Sequence, residues 1–224
     1  MILAADKRLT FIHVPKAAGT SINSALSMHD VFFEARGCDA RRECADKAGL
    51  PPATAALGAH ASARQFIAAV GRDDFDSFYS FSFVRNPWDV AVSWFHYRLI
   101  NPAVAGHADA AAAGTFQTYV TRYLTQPDAR RWVGLQRPFL VDDAGDLAVS
   151  FVGRYESLEG DFAATISHLK IDTLPLDHFN QSYHSPWPSL YSPETFAIVH
   201  GLVADDAKLL GYGEDPAVYG IHPG

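Results

Sequence analysis

The sequence predicts an α/β domain, a parallel sheet flanked by helices on both faces. Three observations carry that expectation. Short β-branched and aromatic runs recur at wide intervals, "RLTFIHV" at 8–14, "SFYSFSFVRNP" at 77–87 and "VSFVGRYESL" at 149–158. A stretch of helical character follows each run, and Pro, Gly or Asn-Pro closes the first two. Strand and helix in alternation are the mark of βαβ units, whose crossovers lay helices against a parallel sheet.

In chain order, the first strand ends at Pro15, and "TSINSALSMH" follows as a helix with Thr20 or Ser21 as its N-cap. Residues 37–58 are rich in Ala and charge and carry a Pro-Pro break, which reads as a short helix and then a loop. "SARQFIAAVG" is an amphipathic helix that starts near Ser62 and stops at Gly71. After the second strand, "WDVAVSWFHYRLI" reads as a helix with Asp89 in its first turn. Residues 101–114, "NPAVAGHADAAAAG", have the lowest complexity and are expected to be a mobile surface segment. "FQTYVTRYL" and "EGDFAATISHLKI" are helices. The last helix, Pro193 to Leu210, opens with Ser192 as N-cap and proline in the first helical position.

The chain has 224 residues, 48% of them hydrophobic and 19% charged. One domain over 1–224 is expected, since such a length can bury roughly 70% of its unfolded surface. A net charge of −7 argues against general attraction to nucleic acid or anionic membrane. A polyanionic ligand would need a local cluster of basic side chains and backbone amides. The start lacks a signal-peptide core and no stretch reaches the ~20 apolar residues of a membrane span, so a cytoplasmic protein without an integral membrane segment is expected. Cys38 and Cys44 have neither zinc nor C-x-x-C spacing; two thiols is the simpler reading, and a disulfide stays open. The ten histidines form no H-x-x-x-H or H-E-x-x-H pair, and no metal site is expected.

The stretch "FIHVPKAAGTS", Phe11 to Ser21, holds the clearest chemistry. A Gly-containing turn between a parallel strand and a helix presents free backbone N–H groups and the positive end of the helix dipole, which suits a phosphate. Thr20 and Ser21 add hydroxyl donors, and Lys16 can reach a second negative centre. A nucleotide P-loop reads G-x-x-x-x-G-K-[ST], whereas Lys16 here precedes Gly19. The missing G-K-[ST], with no strand ending in a metal-binding Asp, argues against a magnesium-dependent ATPase. The plain alternative is a tight turn with a surface lysine. In "FVRNPWDVAVSWFHY", Arg85 ends a strand and Ser93 lies eight residues on, about two turns into the helix. A guanidinium fork and a hydroxyl could grip another phosphate; a helix cap with a surface arginine is the other reading.

Together, "HVPKAAGTS" and "FVRNPWDVAVSWFHY" resemble the paired signatures of sulfotransferases that use 3′-phosphoadenosine 5′-phosphosulfate (PAPS). The likeness is closest to the carbohydrate and heparan sulfate 2-O-sulfotransferase branch and its bacterial relatives. "GAHASARQF", "FVGRYESLEGDF" and "YSPETFAIVHGLVADDAKLLGY" follow in the matching order, so the resemblance spans nearly the whole chain. It implies a P-loop-like sheet in which Lys16, Ala17, Ala18, Gly19, Thr20 and Ser21 hold the 5′-phosphosulfate while Arg85 and Ser93 hold the 3′-phosphate. Lys16 would then face the oxygen bridging phosphate and sulfonate. One position departs: a second Arg is frequent where this chain has Val90.

Sulfuryl transfer, like phosphoryl transfer, needs in-line positioning and stabilisation of charge on the leaving oxygen. No metal is expected, and the product nucleotide would be 3′-phosphoadenosine 5′-phosphate (PAP). The acceptor is a hydroxyl-bearing molecule, a carbohydrate or glycoconjugate by the resemblance. Its base is read as His60, in a loop just ahead of a helix, a G-x-H setting similar to that of the 2-O branch. Glu34 is the runner-up, since other branches use a Glu downstream of the first motif. His13 is read as a packed strand residue, Arg154 as facing the cofactor or pairing with Glu156 or Glu159. The aromatic stretch Asn180 to Tyr191 is read as a loop closing over the cofactor. For Trp132 and Trp187, packing is preferred over stacking on a sugar. A magnesium-dependent small-molecule kinase and a non-catalytic nucleotide-binding protein remain the alternatives.

Overall fold

The computed structural model describes residues 2–4, 7–27, 42, 45–46, 49–177 and 185–222. Glu34, Cys38, Cys44 and residues 180–184 lie outside the described residues. The strands are β1 (Ile2–Ala4), β2 (Leu9–Ile12), β3 (Tyr79–Val84) and β4 (Phe151–Arg154). The helices used below are α1 (Gly19–Ala25), α2 (Ala63–Val70), α3 (Arg72–Asp76), α4 (Pro87–Ile100), α5 (His107–Ala113), α6 (Phe116–Tyr123), α7 (Arg130–Val133), α8 (Arg137–Leu140), α9 (Leu158–Leu169) and α10 (Pro193–Leu210). The chain forms two compact units: residues 1–84 with 138–179, and 85–137 with 180–224.

The first unit holds a four-stranded sheet in the order β1-β2-β3-β4. β2, β3 and β4 are parallel, with Phe11 beside Phe81 and Phe81 beside Phe151. The fold is thus α/β, as the strand–helix alternation predicts. The sheet differs from that prediction at its edge: β1 runs antiparallel to β2, Leu3 opposite Thr10. Three residues are too few to show an alternating pattern, so only the pairing reveals this strand.

β3 is central, and both of its faces are buried. Phe81 and Phe83 point to one side, and the equally buried Ser80 and Ser82 to the other. A buried hydroxyl needs a partner. Ser82 Oγ donates to the Ile12 carbonyl at 2.7 Å, and Ser80 meets the hydroxyl of Ser150 at 3.2 Å. In β4, Gly153 leaves room for the Phe83 ring, which a Cβ there would meet at 2.5 Å. α2 begins at a capping box, Ser62 with Gln65, and ends at Gly71, as expected.

In the second unit, α4 is capped by the Asn86 side chain, which accepts from the amides of Trp88 and Asp89. Pro87 takes the first helical position, where its missing N–H costs nothing. Residues 87–93 are all buried. Trp88 stacks on Phe196 of α10 with centroids 4.7 Å apart and planes 7° from parallel, and Tyr191 Oη donates to the Trp88 carbonyl at 2.9 Å. Ser192 and Pro193 open α10 as predicted, with Thr195 completing the box. The 101–114 stretch, expected to be a mobile surface segment, contains α5, whose Ala110 and Ala113 face the core of this unit.

Candidate functional site

In the first unit, β2 leads into the turn Pro15–Ala18. Lys16 and Ala18 both take positive φ, 68° and 63°. Each left-handed non-glycine costs about 1–2 kcal/mol, and such strain gathers at functional turns. Ala18 ends the turn, and its carbonyl accepts the first helical bond from Ile22 N–H at 3.1 Å. The N-cap is therefore Ala18, with no side-chain cap, rather than Thr20 or Ser21. The left-handed Ala18 starts the helix at Gly19, which moves both hydroxyl residues into its first turn. Lys16 and Ala18 are half-buried, Ala17 and Ser21 buried, Thr20 exposed.

His13, just past β2, is buried and stacks on Phe11 with ring centroids 5.7 Å apart. Its imidazole lies over Gly19, where a Cβ would stand 1.8 Å from His13 Nε2. The glycine is needed for this close approach. His60 is exposed, yet its ring centroid is 4.4 Å from that of His13 and its Nδ1 is 3.0 Å from the His13 carbonyl oxygen. A carbonyl only accepts, so neutral His60 carries its proton on Nδ1 and presents a lone pair at Nε2. The structure thus brings together the loop, His13 and His60.

The second unit holds Arg85 and Ser93. Arg85 follows the last residue of β3, and its Nε donates to Asp89 Oδ2 at 2.7 Å in a nearly buried ion pair. Gln136 accepts from the Arg85 N–H at 2.9 Å and donates to the Arg85 carbonyl at 2.7 Å. Ser93, one turn beyond Asp89, is 1% exposed, and among the described residues its Oγ has no hydrogen-bond partner. Asp89 Oδ1 is likewise buried without one. Orphaned buried hydroxyls are uncommon and call for an explanation.

Sequence reasoning placed Asp89 in the first helical turn but missed it as the partner of Arg85; the i,i+4 spacing was the available signal. It also missed Gln136, for which no local signal exists. Two guanidinium groups lie over the Trp132 ring, Arg98 at 5.3 Å and Arg131 at 4.8 Å from its centre. Trp187 packs on Tyr191 and Tyr219. For Arg154, the backbone N–H donates to Asp161 at 2.7 Å. Among the described residues, no group of three or more His, Cys, Asp or Glu could hold a metal ion.

No curated protein and no solved structure matches the chain. A family model, the sulfotransferase family, matches residues 1–212. That match covers nearly the whole length, and the chain belongs to the sulfotransferase family.

Proposed function

We propose that the protein moves the sulfonate of PAPS onto a hydroxyl of a carbohydrate or glycoconjugate, in the cytoplasm, and that it stands nearest the 2-O-sulfotransferase branch. The observation that carries the donor assignment is the buried Ser93 hydroxyl, without a hydrogen-bond partner among the described residues, on the helix that opens at Pro87, two residues beyond Arg85. A buried guanidinium and an orphaned hydroxyl fit a phosphate, which accepts from both. The strained Lys16 turn fits a second anionic end.

When bound, PAPS supplies an electrophilic sulfonate on a phosphate leaving group. Lys16 stabilises the charge that develops on the leaving oxygen, and the amides of Ala17, Ala18, Gly19, Thr20 and Ser21 hold its phosphate. Arg85 and Ser93 hold the 3′-phosphate. His60 takes the acceptor proton at Nε2, since its Nδ1–H is committed to the His13 carbonyl. The G-x-H setting of His60 also supports the 2-O-like reading.

Calorimetric titration with PAP, with and without magnesium, tests this on wild type, Arg85→Ala and Lys16→Ala. Metal-independent binding that weakens in Arg85→Ala is expected. Lys16→Ala should lose turnover far more than PAP affinity. Failure of the wild type to bind PAP, or binding of ATP only with magnesium, overturns the proposal.

A further inference from the structure

Gln136 lies 51 residues beyond Arg85, is 0% exposed, and spends its whole carboxamide on that one residue's main chain. It accepts the Arg85 N–H and donates to the Arg85 carbonyl, the exchange a neighbouring strand residue makes with its partner. Gln136 is itself anchored. Its main-chain N–H donates to Asp206 Oδ2 at 2.5 Å, and the next amide, of Arg137, donates to Asp206 Oδ1 at 3.2 Å. Asp206, near the end of α10, is 2% exposed, and burial pushes its pKa up against the pull of those amides.

A buried carboxylate and a buried carboxamide are expensive to desolvate, and here the first holds the Gln136 and Arg137 amides and the second holds the main chain of Arg85. Arg85 is thereby held at both ends: Gln136 grips its backbone, and Asp89 grips its Nε. A long flexible side chain recognises a phosphate well only when both its root and its tip are pre-set.

We propose that Gln136 and Asp206 are positioning residues for the Arg85 guanidinium, and that this relay sets how strongly the protein prefers a nucleotide bearing a 3′-phosphate over one without it. The inference rests on the proposed role of Arg85 in binding the 3′-phosphate. Both residues are buried, at 0% and 2% exposure, and act through Arg85.

Titration calorimetry with PAP and with 5′-AMP, which lacks the 3′-phosphate, tests it on wild type, Gln136→Leu, Asp206→Asn and Arg85→Ala, each checked by thermal melting. The wild type should prefer PAP by about tenfold or more, the worth of a charge-assisted hydrogen bond. In Gln136→Leu that preference should fall below about threefold while affinity for 5′-AMP stays within about twofold, because one oriented contact is lost and the rest of the site is kept. Asp206→Asn, nearly isosteric and still able to accept one amide, should fall between, and it decides the matter if Gln136→Leu does not fold. Unchanged preference in the folded variants, with preference lost in Arg85→Ala, overturns the relay and leaves the proposed function standing. A wild type that does not distinguish PAP from 5′-AMP overturns the role of Arg85, and the relay with it.

Discussion

His60 Nδ1 stands 3.0 Å from the main-chain carbonyl of His13, and the two imidazoles meet at 55°. Because a side-chain substitution leaves the main-chain carbonyl in place, the orientation of His60 is tied to the path of the backbone just past β2. The same backbone runs on into the lysine turn. The carbonyl that orients His60 and the turn that carries Lys16 therefore lie on one continuous piece of chain.

That arrangement predicts a separation of binding from turnover. His60→Ala should lower turnover by about 10²–10⁴-fold, the usual worth of a positioned base. PAP affinity should stay close to wild type. Single-turnover assays with labelled donor, beside titration with PAP, make the comparison. A variant with full turnover would remove His60 from the mechanism and return attention to Glu34.

Gly19 is expected to tolerate no side chain while His13 is in place. A methyl group at this position meets the buried imidazole at 1.8 Å, so Gly19→Ala should destabilise by about 1–3 kcal/mol through overpacking. Adding His13→Ala should recover part of that loss. Urea unfolding of the two single variants and the double variant gives the coupling. Additive losses would mean that the ring is not what excludes the methyl.

The Arg85–Asp89 ion pair and the proposed binding role of Arg85 can be pulled apart. Arg85→Met alone leaves a buried carboxylate without its cation and should cost about 3–5 kcal/mol. Arg85→Met with Asp89→Leu removes both charges and should regain most of that stability. PAP binding should stay weak in both. If the double variant bound PAP as wild type does, Arg85 would be structural only.

Asp206 predicts a pH dependence of known sign. Its folded pKa is raised above the ordinary carboxylate value of 3.8, chiefly by burial, so the native state holds the proton more tightly than the unfolded chain. The stability this contributes is fully present below about pH 3.8 and is lost as pH rises through the folded pKa. Relative to Asp206→Asn, which does not titrate, wild type should therefore lose stability as pH rises from about 4 towards neutrality. Urea midpoints of the two proteins across that range report the trend, and a rising difference would contradict it.

Much of the fold is legible where local chemistry and tertiary outcome agree. β2, β3 and β4 sit within the apolar runs that mark them, and Ser62 and Ser192 cap the helices they precede. Legibility fails where the structure goes against local preference. Ala18 adopts a left-handed conformation that alanine disfavours, so hydroxyl residues looked like better N-caps. Of the candidate residues, Lys16 and His60 in the first unit and Arg85 and Ser93 in the second stand out by motif. Asp89 stands within an i,i+4 window of Arg85, whereas Gln136 matters through a contact 51 residues away that no short window displays.

All four tryptophans, at 88, 94, 132 and 187, fall in the second unit, whereas every described strand belongs to the first. Indole emission is then a private reporter of one unit. The β contribution to circular dichroism reports the other. Melts followed by both signals would coincide if the chain unfolds in a single cooperative step, and would separate if the units let go in turn.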